Sequence, residues 1–225
     1  MGKRVSFPSN GHTCEGYLAI PESGSGPAVV VVQEWWGLVP HIEELADRFA
    51  KAGFIALAPD LYHGKTTRSP DEAGKMLMEL DGERAEKEIA GAGQHLLGQP
   101  QCSSRTFGVV GFCMGGALAQ YAASKNQRVG AAVSFYGGFK KLPIDWTSLS
   151  APILLIYGEQ DQGVPPQQGK DLAKQLKEAG KDVELVIYPG AGHAFFNDAR
   201  PEAYKAEPAA DAWKRTVEFF RKNVK

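Results

Sequence analysis

The sequence predicts an α/β fold: a mostly parallel central sheet with helices on both faces and an N-terminal antiparallel hairpin. Three observations carry that expectation. Short runs rich in β-branched residues alternate with longer amphipathic segments, the pattern of strand–helix repeats that builds a parallel sheet. The runs are continuously apolar, as strands covered on both faces are. Gly and Pro, 26 and 14 of 225 residues, punctuate the segments and stay below the level of a low-complexity chain.

Taken in order, Lys3 to Phe7 and His12 to Ile20 read as the hairpin, turning at Ser9-Asn10-Gly11. A Pro/Gly/Ser loop over 21–27 leads into Ala28 to Gln33, a central strand. Ile42, Leu45, Ala46, Phe49 and Ala50 fall on one helical face, and Gly53 stops that helix. Phe54 to Ala58 is a buried strand, and the polar stretch from Pro59 to Leu97 is partly helical, with 62–97 expected as a small cap. Then come a strand (Phe107 to Val110), a small-residue helix (Gly115 to Ser124) and strands at Val129 to Phe135 and Pro152 to Tyr157. A helix (Pro166 to Ala179), a strand (Val183 to Tyr188) and a closing helix (Ala209 to Asn223) complete one domain over 1–225. In such sheets the ligand sits beyond the carboxyl ends of the strands.

Composition excludes several classes. With 25 Lys+Arg against 26 Asp+Glu, the chain has no basic surplus to displace counterions from nucleic acid. The longest aliphatic run, Ala28 to Val32, is far short of the ~20 residues a membrane span needs. Lys3 and Arg4 are followed by no apolar segment of the secretory kind. Cys14, Cys102 and Cys113 make neither an even disulfide framework nor a metal-ligand spacing. The expectation is a cytoplasmic monomer with no nucleic-acid or membrane partner and no metal, in which one cysteine does chemistry.

Gly111-Phe112-Cys113-Met114-Gly115 fits the nucleophile elbow, Gly-x-nucleophile-x-Gly, between a strand and a helix. The nucleophile sits on a strained turn, and the glycines let neighbouring backbone approach without a Cβ clash. N–H groups at the helix start favour a thiolate there. Asp161 ends the strand Leu154 to Tyr157, 48 residues on, and His193 follows the next strand after a further 32. Nucleophile, acid and histidine thus stand in the chain order of the α/β-hydrolase triad, each just past a strand end.

These residues carry a resemblance. Gly-Phe-Cys113-Met-Gly-Gly, Gly158-Glu-Gln-Asp161, Gly190-Ala-Gly-His193-Ala-Phe, Gln33-Glu34-Trp-Trp-Gly-Leu and Pro59-Asp60-Leu-Tyr62 together resemble the dienelactone hydrolase family of α/β-hydrolases, nearly end to end. The resemblance implies an α/β-hydrolase fold and a cofactor-free hydrolase of a small-molecule carboxylic ester or lactone. It implies Cys113, Asp161 and His193 as the catalytic groups and Glu34 as a carboxylate that hydrogen-bonds the resting thiol and takes its proton when substrate arrives. Backbone N–H groups of Trp35 and Met114 are the expected oxyanion hole.

In one respect the chain departs from the family. Where relatives acting on the dienelactone carboxylate place an arginine four residues after the histidine, this chain has Asn197, after Phe195 and Phe196. Trp36, Tyr62, Tyr136, Phe195, Phe196 and Asn197 are therefore candidates for a more aromatic substrate pocket, while Arg68, Arg84 and Arg200 are assigned to surface salt bridges. A cysteine also leaves a tetrahedral intermediate more readily than a simple alkoxide. Activated esters, enol lactones such as dienelactone above all, are thus favoured over alkyl esters. Competing readings are a promiscuous aryl-ester or thioester hydrolase, a redox sensor pairing Cys113 with Cys102, and a non-catalytic binding member of the fold.

Overall fold

The computed structural model describes residues 2–138 and 142–225. Its strands are β1 (Lys3–Ser9), β2 (His12–Ala19), β3 (Gly26–Val32), β4 (Ile55–Pro59), β5 (Cys102–Phe112), β6 (Val129–Phe135), β7 (Ile153–Gly158) and β8 (Val183–Tyr188). They form one sheet in the order β1-β2-β4-β3-β5-β6-β7-β8. The pairs β1–β2 and β2–β4 are antiparallel, and every other neighbouring pair is parallel. The hairpin turns where expected, with Ser9 opposite His12. Asn10 and Gly11 have φ of 51° and 75°, the doubly positive pair of a two-residue hairpin turn.

The α-helices among the described residues are α1 (Pro40–Lys51), α2 (Pro70–Glu79), α3 (Gly82–Leu97), α4 (Met114–Lys125), α5 (Pro166–Glu178) and α6 (Ala206–Asn223). The β3 run explains why a buried parallel strand reads as unbroken valine. Ala28, Val30 and Val32 enter one core with α3, α4 and α5, whereas Val29 and Val31 enter the other with α1 and α6. Because side chains alternate along a strand, a strand with two apolar sides has no polar position to spare.

The structure revises two segments. The expected cap over 62–97 divides into α2 and α3, and α3 lays Ala85, Ile89, Ala92 and Leu96 into the core with β1, β3 and β4. That helix covers a sheet face; the stretch that runs past the carboxyl edge is the one before α2. Strand β5 starts at Cys102, five residues earlier than the apolar pattern indicates, because its first half alternates in burial. That half is held by the carboxyl terminus: Arg105 and Thr106 N–H groups donate to the Lys225 carbonyl at 2.7 and 3.0 Å.

Strand β3 lies between β4 and β5, and its neighbours leave it in opposite directions along the sheet. Such a topological switch opens a crevice at the strands' carboxyl ends. Glu34 follows β3 and Cys113 follows β5, so both stand at that crevice.

Candidate active site

The turn between β5 and α4 holds Cys113 at φ 55° and ψ −117°, a conformation that costs a non-glycine residue of order 1–3 kcal/mol. Close packing on both sides maintains it. A Cβ on Gly111 would lie 1.9 Å from the Gly115 carbonyl oxygen, one on Gly115 2.4 Å from that of Gln33, and one on Gly116 2.6 Å from that of Phe135. The start of α4 is thereby wedged against the ends of β3 and β6, with the Cys113 N–H donating to the Phe135 carbonyl at 3.0 Å.

Asp161 is 3% exposed. One carboxylate oxygen accepts the Val164 N–H at 2.8 Å, and the other lies 2.7 Å from His193 Nδ1. Cys113 also acts on His193, favouring its protonated form. Burial opposes a charged imidazole here, yet the hydrogen bond to Asp161 and the negative charges of Asp161 and Cys113 outweigh it and push His193 up to about 10. The three residues named from the sequence therefore meet in one place, with Nδ1 tied to the acid and the ring left to serve the sulfur.

Glu34 is also at the site, 3% exposed, but its hydrogen bond is not to the thiol as expected. Its Oε2 accepts from Asn197 Nδ2 at 2.8 Å. Burial raises its proton affinity, partly offset by Asn197, by the charges of His193 and Arg200 and by Tyr136. After Glu34 the chain makes a turn closed by Gly37 N–H to the Glu34 carbonyl at 3.4 Å, which carries Trp35 and Trp36. Met114 opens α4, so its N–H has no helical acceptor. Neither that group nor the Trp35 N–H joins a loop or cap hydrogen bond among the described residues.

The aromatic candidates separate. Trp36 lines a groove of about 810 Å³ together with His41, Thr66, Arg68, Asn197 and Arg200. Tyr62 is buried, and its hydroxyl contacts Met114 Sδ at 3.1 Å. Phe195 and Phe196 are core residues, 0% and 1% exposed. Phe195 packs on Tyr136 and Tyr188, and Phe196 on Phe112 and Phe135. Tyr136 is likewise enclosed, its ring 4.9 Å from that of His193. Asn197, expected to contact substrate, spends its amide on Glu34. That pairing spans 163 residues and leaves no local signal; only the short spacing from His193 hinted that position 197 faces the site.

Of the arginines, Arg84 pairs with the buried Glu88, whereas Arg200 pairs with Glu202 as a surface bridge does. Arg200 additionally lies 5.9 Å from the Trp36 ring. Cys102 cannot resolve Cys113. The two stand at opposite ends of β5, roughly 35 Å apart at ~3.3 Å per residue, where a disulfide needs Cα atoms within ~7 Å. No group of His, Cys, Asp and Glu suited to a metal occurs among the described residues.

Comparison with known proteins agrees with this architecture. "Protein usf" of Aquifex pyrophilus is 40% identical over 228 residues, covering 98% of both chains. An Aquifex aeolicus protein provisionally named a carboxymethylenebutenolidase is 36% identical over 232 residues, covering all of both. Among solved structures, a provisionally named dienelactone hydrolase from Klebsiella pneumoniae superposes with a TM-score of 0.90 at 29% identity, covering 99% of this chain and 98% of that one. The sequence pattern of the dienelactone hydrolase family matches residues 14–224. This chain, with its α/β-hydrolase fold, belongs to the dienelactone hydrolase family and is a hydrolase of carboxylic esters.

Proposed function

We propose that the protein hydrolyses activated carboxylic esters, enol lactones such as dienelactone foremost, through a thioester on Cys113. The observation that carries the reading is Cys113 on a strained strand–helix turn, acting on a His193 whose Nδ1 lies 2.7 Å from Asp161.

As substrate seats, Glu34 takes the thiol proton, leaving a thiolate beside the His193 imidazolium. The sulfur attacks the carbonyl carbon, and the N–H groups of Trp35 and Met114 receive the oxyanion, each donor worth roughly 3–4 kcal/mol in comparable sites. Collapse breaks the bond to the leaving oxygen, which His193 protonates. His193, now neutral and still oriented by Asp161, deprotonates a water that cleaves the thioester. The freed thiolate recovers its proton from Glu34. Burial suits Glu34 to this task, since a carboxylate with raised proton affinity is the better acceptor.

The groove beside Trp36 supports a substrate with an extended or anionic part, because Arg68 and Arg200 lie on its wall. Among the described residues no helix is long and apolar enough to cross a membrane, and the large apolar side chains that are exposed are Ile20 and Met78 alone. Together with three free cysteines, this supports a monomer acting in the reducing cytoplasm on a small molecule. The test is a matched pair of aryl and ethyl esters beside an enol lactone: kcat/KM is expected to be at least 100-fold higher for the aryl ester and the lactone, and equal values across the set contradict the reading.

A further inference from the structure

Tyr136 follows β6 with φ 39°, a left-handed backbone that a bulky residue adopts only under constraint. The constraint is visible. Its N–H donates to the Ile156 carbonyl at 2.7 Å, and the ring is enclosed by Phe112, Phe135, Phe195 and His193. The hydroxyl, fully buried, completes no hydrogen bond. A strained, well-packed side chain that ends in an orphaned buried donor is a poor structural investment, because removing the oxygen would lose nothing and spare a desolvation cost.

The groups facing this hydroxyl identify its acceptor. Glu34 from the β3 loop, Cys113 from the elbow, Asp161 from the β7 loop and the Arg200 guanidinium all act on it electrostatically. Both Asp161 oxygens already have partners, His193 and the Val164 N–H, and Cys113 acts on His193. Arg200 is a donor. Glu34 remains: its Oε2 holds the Asn197 amide, and the Tyr136 hydroxyl faces the same carboxylate without closing a bond to it. The groups acting on Glu34 in turn are Asn197, His193, Arg200 and Tyr136.

We propose that Tyr136 is a positioning residue for Glu34: its hydroxyl donates to the ionised carboxylate, opposite the Asn197 amide, and releases it when Glu34 is protonated. Two neutral donors then hold the carboxylate in place and set how tightly it binds a proton. No bond other than a hydrogen bond is made or broken. The inference rests on Glu34 being the acceptor of the thiol proton, but the contact is tested independently of that role.

The experiment compares wild type, Tyr136→Phe and Glu34→Gln by infrared titration and by the pH profile of kcat/KM on an aryl ester. The protonated-carboxyl stretch that disappears in Glu34→Gln belongs to Glu34. In Tyr136→Phe its titration midpoint is expected to rise by about one pH unit, since losing a donor to a charged group disfavours ionisation. The acid limb of kcat/KM rises with it, while the melting temperature does not fall. An unmoved midpoint overturns the proposal whatever the activity does, and so does a lowered melting temperature with unchanged titration, which marks a purely structural tyrosine. A shifted midpoint with an acid limb that Glu34→Gln fails to abolish leaves the Tyr136 contact standing and refutes the catalytic reading of Glu34 instead.

Discussion

Replacing Gly111 by alanine tests the elbow where it is tightest. The new Cβ would lie 1.9 Å from the Gly115 carbonyl oxygen and 2.2 Å from its carbon, against a floor of 3.0 Å for real Cβ contacts. Every atom it meets is backbone at the start of α4, so the helix must withdraw by about 1 Å to admit it. The Met114 N–H and the Cys113 sulfur travel with that segment. A displacement of ~1 Å between reacting groups costs on the order of 100-fold, or ~2.7 kcal/mol of transition-state stabilisation. Overpacking of this kind also removes ~1–3 kcal/mol of stability, and for a chain of this size each kcal/mol lowers Tm by ~2–4 °C. The assay is kcat/KM on 4-nitrophenyl acetate per folded molecule, with Tm measured alongside. Gly192→Ala serves as the comparison, because its Cβ meets nothing within 4 Å and Tm should hold. A Gly111→Ala enzyme within threefold of wild type, at unchanged Tm, would refute the claim that close approach at this glycine sets the site.

Asp161→Asn is expected to lower kcat/KM by roughly 10³–10⁴, as loss of the orienting acid does in comparable triads. It should also lower the His193 titration, followed by NMR, from about 10, because burial is then opposed by Cys113 alone. The linked stability has a definite sign. The contribution of a raised histidine is fully present below its unfolded value of 6.5 and is lost as pH rises to about 10. Wild-type Tm should therefore slope downward across that window, and the variant's less steeply. Cys102→Ser is expected to leave turnover and its peroxide sensitivity unchanged, and a Cys102–Cys113 disulfide by mass analysis would contradict the geometry of β5.

The grouping of Cys113, Asp161 and His193 was legible in the sequence because each member is announced locally. The elbow needs glycines at fixed offsets, and the acid and histidine follow buried strands whose β-branched runs are hard to miss. The fold was legible for the same reason, down to the Asn10-Gly11 hairpin turn. What escaped was carried by contacts far apart along the chain. The first half of β5 looks like loop because its order depends on the carboxyl-terminal Lys225. Phe195 and Phe196 sit beside His193 in sequence, but left-handed Ala194, at φ 59°, bends the chain, and both rings lie in the core shared by α1 and α6. Asn197 and Glu34 meet only through the fold, and the strain at Tyr136 has no glycine to advertise it.

The most direct test is rapid-quench mass spectrometry of the enzyme mixed with 4-nitrophenyl acetate, in parallel with steady-state turnover of dienelactone, for wild type and Cys113→Ala. The account predicts a transient acetyl mass on the peptide carrying Cys113, dienelactone turnover in the wild type, and neither in the variant, whose Tm stays close to wild type. Turnover that survives in Cys113→Ala, or an acetyl group that settles on another residue, contradicts the account at its centre.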